Sequence, residues 1–246
     1  MLLETFPSRA EFADLVSAHS VVPVGAKILA DTETPVSLLS RFARDRPDIF
    51  LLESAEGGER WGRYSFLGIS ARANITVYGH EVVFRQGINE NRTRHNGDPL
   101  AVMREIMRPY RLAELPGLPR FCGGLVGYFA YEMASFFEPR VPNKLPPESP
   151  LAEFMIPDAM LIFDNISHTL TVMALAFKDD GDSDALYDGA VSRVQDMLAV
   201  IGSPADVSLR INKSAVKMPE PVRGPDYFKG MVRSIKESIR EGEVIQ

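Results

Sequence analysis

The sequence predicts an α+β fold with largely antiparallel sheets and packed helices. Two observations carry this. Strand-like runs come in pairs about tight turns: ANITVYGHEVVFRQ at 73–86 around Gly79-His80, and AMLIFDNISHTLTVMALAF at 159–177 around Asp164-Asn165. The helical patterns are not interleaved one-to-one with strands, as a parallel sheet would need.

Taken in order, Ser8 opens a helix over 8–20 with a capping box to Glu11, and Phe12, Leu15 and Val16 form its apolar stripe. VVPVGAKILA at 21–30 reads as a strand. Thr34 and Pro35 supply an N-cap and a first-turn proline for a helix over 34–46, which buries Leu38, Leu39, Phe42 and Ala43. DIFLLES at 48–54 holds an unbroken apolar run from Ile49 to Leu52, which predicts a strand buried on both faces. At 73–86, Gly79 suits the first position of a type II′ turn. Residues 87–97 read as polar loop. Asp98-Pro99 repeats the cap-plus-proline start for a helix reaching Tyr110. FCGGLVGYFAYE at 121–132 reads as a strand whose glycines mark close backbone approach.

The second hairpin is followed by an amphipathic helix over 184–200, with Asp184 as N-cap. That makes about eight strands and five helices once the last helix is counted. Residues 202–224 carry Pro204, Pro219 and Pro221 and few large apolar side chains, and read as a linker. From Pro225 a helix places Tyr227, Met231, Ile235 and Ile239 four residues apart on one face, and Gly242 ends it. Glu243 to Gln246 look like the entry to a strand. A helix after a linker and a strand without a partner predict that residues 225–246 open a second domain within a larger protein.

Composition bounds the function. The chain has 246 residues, 45 % hydrophobic and 24 % charged, enough for a sizeable core. A net charge of −6 argues against a nucleic-acid surface. No apolar run approaches a membrane span, and Glu4, Pro7 and Arg9 break the N-terminus, so neither a membrane nor a signal peptide is expected and the cytoplasm is. The sequons at Asn74, Asn91, Asn165 and Asn212 therefore read as chance. A single cysteine, Cys122, excludes an internal disulfide and reads as a small apolar strand residue.

The usual catalytic signatures are missing. The four histidines are scattered with no metal-binding spacing, and His80 and His95 read as solvated loop residues. The run DDGDSD at 179–184 lacks the glycine and glutamate positions of a calcium loop. What survives is LLES at 51–54. A free amino acid needs an anionic acceptor for its ammonium and donors for its carboxylate. Glu53 can be the first; Ser54 with its backbone N–H can be the second, and Arg63 adds a charge-assisted contact. Apolar residues leading in, Leu52 among them, can wall a pocket. The plain alternative is a strand-end turn continued by Gly57-Gly58.

TPVSLLSRF at 34–42, FLLESAEGGERWGRYSFLG at 50–68, GGLVGYFAYE at 123–132 and YFKGMVRSIKESIREGEVIQ at 227–246 resemble, in this order, the N-terminal half of anthranilate synthase component I. The resemblance implies that residues 1–201 are that family's N-terminal domain and that 225–246 begin its chorismate-binding domain. It implies an enzyme making anthranilate and pyruvate from chorismate and ammonia with Mg²⁺. A glutamine amidotransferase subunit, component II, delivers the ammonia, and L-tryptophan is the feedback inhibitor. Carried over, Ser54 contacts bound tryptophan, Glu53 and Leu52 line the site, and Arg63 matches a basic position of it. The family's catalytic and magnesium-binding residues lie in the C-terminal domain, so none is assigned here and this chain alone is expected to be inactive. Aminodeoxychorismate synthase component I is the nearest rival; it more often has Asp where Glu53 stands. A non-catalytic amino-acid-binding domain is the reading from another class.

Overall fold

A computed structural model describes residues 4–43, 48–53, 62–138, 140–203 and 220–245. The chain forms two compact units, Met1–Asp206 and Val207–Gln246.

In the first unit the described strands make one antiparallel nine-stranded sheet. They are β1 (Thr5–Phe6), β2 (Val21–Leu29), β3 (Phe50–Leu52), β4 (Tyr64–Val77), β5 (Glu81–Gln86), β6 (Asn89–Arg94), β7 (Val126–Phe129), β8 (Ala152–Asp164) and β9 (Thr169–Phe177). The main path runs β1-β2-β9-β8-β4-β5-β6, with β3 added on β4 and β7 on β8. The long strands β4 and β8 pair along their whole length, from Tyr64↔Asp164 to Val77↔Ala152.

One face of the sheet is covered by helices. Phe12 and Val16 of α1 (Arg9–Ala18), Leu38 and Phe42 of α2 (Pro35–Phe42), and Tyr187, Ala190, Val194, Met197 and Ile201 of α4 (Ser183–Gly202) pack on Leu67, Ile69, Leu161 and Phe163. The opposite face is covered near its middle by the 107–125 segment, through Leu112, Leu118, Phe121 and Cys122. At its far end it is covered by α3 (Pro99–Met107), where Met103 meets Ile75, Val77 and Val82.

β4 serves both faces because it changes parity. Its register with β8 shifts between Gly68 and Ala73. Before the shift the odd residues Leu67 and Ile69 face the helices; after it the odd residues Ala73, Ile75 and Val77 face the other way. An extra residue in an antiparallel pair does this, since side chains alternate with period two.

The local signals for helix starts hold. Ser8 and Glu11 form the capping box, Thr34 accepts from the Ser37 amide, and Asp98 accepts from the Ala101 amide. Several expectations are corrected. The helix from Pro99 ends at Met107 rather than Tyr110. The cap of α4 is Asp182, whose Oδ1 accepts from the amides of Asp184 and Ala185 at 3.1 and 3.0 Å; Asp184 is already in the helix. Residues 89–94 are a strand, not loop: its side chains are all exposed, so it carries no apolar alternation to read. Gly79 does not take the positive φ of a type II′ turn; Gly87, in the next hairpin, does, at +57°.

The 121–132 run gives only the four-residue β7, followed by a 3-10 turn at Tyr131–Phe136. Its glycine logic holds at Gly127, where a Cβ would collide with the Glu153 carbonyl and Phe154 Cα of β8. His95 is buried rather than solvated. It accepts the Gly97 amide at Nδ1 (3.1 Å), so Nε2 carries the proton and donates to the Tyr78 carbonyl (3.0 Å). Cys122 is buried as expected; desolvation pushes its thiol up, and the nearby Glu114 charge adds to that.

In the second unit, α5 (Pro225–Arg240) begins at Gly224 and ends as the sequence indicates. Gly242 takes φ +80° and donates to the Ile239 carbonyl, while the Glu243 amide returns to Ser238. The expected strand entry is not formed at 243–245.

Candidate functional site

The LLES segment enters the structure as β3, laid antiparallel on the start of β4 in the register Phe50↔Gly68, Leu51↔Leu67 and Leu52↔Phe66. It is three residues long and half-covered, not buried on both faces as its composition suggested. The reason is position: β3 pairs with β4 alone. Leu51 packs toward the helices, whereas Phe50 joins the opposite face. Gly68 makes room for it; a Cβ there would overlap the Phe50 ring.

Leu52, opposite Phe66, is 47 % exposed, and Glu53 follows it, also exposed. Ser54 lies outside the described residues. Beside Leu52, Phe66 packs edge-on against Phe121 at 5.0 Å between ring centroids, and Tyr64 lies 6.1 Å from Phe66. These rings form a half-buried aromatic row on this face.

Arg63 comes one residue before β4. Its Nε and Nη2 donate to Asp164 Oδ2 at 3.2 and 2.8 Å, and its guanidinium carbon lies 4.8 Å from the Tyr64 ring centroid. Asp164 pairs with Tyr64 across the sheet and also accepts from the amides of Ile166 and Ser167. Burial pushes its carboxyl up, but Arg63 and the two amides outweigh that and hold it at about 2. Asn165 fastens the same spot: its N–H donates to the Arg63 carbonyl at 2.8 Å and its Nδ2 to that of Gly62 at 3.0 Å.

Of the residues singled out in the sequence, Leu52, Glu53 and Arg63 thus fall at the same end of β4, because Leu52 pairs with Phe66 and Arg63 immediately precedes Tyr64, the first residue of β4. Sequence reasoning missed Asp164 and Asn165, which read only as a turn. The one available signal was a carboxylate closing the apolar run LIF, where burial would demand a cation. The acidic run 179–184 has structural uses: Asp180 binds Arg72, Asp182 caps α4 and Asp184 binds Arg9. Among the described residues no three His, Cys, Asp or Glu side chains stand together to hold a metal. Among them, too, no helix is long and apolar enough to cross a membrane.

Comparison with known proteins gives the affiliation. Residues 48–246 match the chorismate binding enzyme family. The chain belongs to that family. The anthranilate synthase component 1 of Pseudomonas putida is 34 % identical over 97 % of this chain and 49 % of its own length. That of Mycobacterium tuberculosis strain H37Rv is 33 % identical over 97 % and 48 %. This chorismate binding family member therefore spans about half the length of the curated relatives it matches. A crystal structure of anthranilate synthase component I from Streptococcus pneumoniae superposes with a TM-score of 0.52 at 21 % identity, over 87 % of this chain and 45 % of that one. The likeness bears out the α+β, largely antiparallel fold.

Proposed function

We propose that this chain is the part of an anthranilate synthase component I that carries one wall of a tryptophan effector site. The observation that supports the reading best is that Leu52 lies opposite Phe66 and Arg63 stacks on Tyr64, with Glu53 next in sequence at the same end of β4. Tryptophan presents a flat apolar ring, an ammonium and a carboxylate. The aromatic row and Leu52 suit the ring, Glu53 the ammonium, and Ser54 with Arg63 the carboxylate. The rest of the pocket would come from the length of the relatives that this chain does not span.

In the whole enzyme the reaction would be chorismate plus ammonia to anthranilate plus pyruvate, with component II, a glutamine amidotransferase, delivering the ammonia. We assign no catalytic residue to this chain. Any magnesium site is proposed to lie in the part of the relatives that this chain does not span. Tryptophan would inhibit through its differential affinity for two arrangements of the enzyme, with a coupling of about 1–3 kcal/mol.

Fluorine NMR of fluorinated tryptophan at millimolar concentration tests the reading, since a partial site still registers there. The expected result is saturable broadening with the L enantiomer that Ser54→Arg removes. Equal broadening by the D enantiomer, or none at all, would overturn it.

A further inference from the structure

We infer that Asp164 is a positioning residue of this candidate amino-acid site: it holds the Arg63 guanidinium so that its free edge can receive a ligand's carboxylate. The inference rests on the effector-site reading and adds a residue that no sequence motif marks.

The geometry carries the argument. A guanidinium has five N–H donors in a fixed plane. Asp164 takes it side-on, through Nε and Nη2. Nη1 and the second N–H of Nη2, the edge that pairs with a second carboxylate, meet no acceptor among the described residues. A long arginine side chain has many rotamers, and holding it in one costs conformational entropy. Here that cost is met before any ligand arrives. The Asp164 carboxylate is 10 % exposed and is itself fixed by the Ile166 and Ser167 amides. The Tyr64 ring lies under the guanidinium, and Asn165 fixes the main chain at Gly62 and Arg63.

The Arg63 side chain is nonetheless 46 % exposed, so the pair is anchored on its carboxylate side and open on its guanidinium side. Arg92–Glu81 shares that asymmetry, so exposure alone does not mark a site; it leaves the guanidinium side accessible, as a ligand-facing arginine requires. The Asp164 charge weakens the attraction of Arg63 for a second anion. The two amides that Asp164 accepts offset part of that loss, and the gain is orientation.

The test compares fluorinated L-tryptophan with fluorinated tryptamine, which lacks the carboxylate, by fluorine NMR on this chain. Asp164→Asn keeps an acceptor for the amides but loses the bidentate hold. The expected outcome is tryptophan binding weakened about five- to tenfold, the scale of one ordinary hydrogen bond, since orientation is lost and the arginine is kept, with tryptamine binding unchanged. Arg63→Met should abolish the preference for tryptophan over tryptamine. Equal weakening of both ligands by Asp164→Asn would show a merely structural pair and overturn the inference. Unchanged or tighter tryptophan binding would overturn it as well. Wild-type chain that binds neither ligand would remove the effector-site reading, and the inference with it.

Discussion

The ring of Phe50 fills the space that a side chain on Gly68 would occupy, directly across the β3–β4 pair. The strand that delivers Leu52 and Glu53 is seated by that contact. Gly68→Ala should therefore lower stability by about 1–3 kcal/mol, the usual cost of overpacking. The cost should shrink in a Phe50→Ala background, as urea denaturation of the two single variants and the double variant would show. Equal costs in both backgrounds would mean that another contact excludes the methyl group.

The Arg63–Asp164 pair gives a pH signature. The folded pKa of Asp164, about 2, lies below its ordinary value of 3.8, so its contribution is present above pH ~4 and is lost as pH falls toward 2. Because Arg63 is half-exposed, about 1–2 kcal/mol is at stake rather than the full shift. Urea midpoints of wild type and Asp164→Asn should converge between pH 4 and pH 2; parallel curves would refute the pairing.

The cap of α4 separates two neighbouring aspartates. Asp182→Ala should cost about 1 kcal/mol, because two helix amides lose their acceptor. Asp184→Ala removes only an exposed ion pair with Arg9 and should cost under about 0.5 kcal/mol. Thermal melts of both variants would rank them.

Gly127 stands where β7 meets β8 with no room for a Cβ. Gly127→Ala must push backbone against backbone, so it should destabilise by about 3 kcal/mol or more, and hydrogen exchange should rise first at Val126 to Phe129. A neutral substitution would mean that β7 is not packed as described.

What the sequence made legible is local chemistry. The caps at Ser8, Thr34 and Asp98 involve residues three apart, and so they read correctly. The two hairpins read correctly as pairs because their turns are short. The charged β6 carries no apolar alternation, so only its pairing with β5 reveals it. The depth of β3 was misjudged because apolar composition does not say how many neighbours a strand has. The acid cap shifted by two residues because four aspartates in a row of six compete for it. Arg63 was legible as a cation in the right neighbourhood. Its partner Asp164 is 101 residues away, and only the full register of β4 on β8 brings the two together.

The polar strand β6 has a consequence for how the molecule behaves at concentration. It forms the β5 end of the sheet's main path, and its side chains are tied in a ladder in which Arg92 reaches Glu81 and Glu90, and Arg85 reaches Glu90. Each pair is worth little on its own. Together they make that rim a poor template, since a foreign strand adding there would have to strip water from a row of charges for backbone bonds alone. The ladder works as a fire-break against edge-to-edge polymerisation at that end of the sheet.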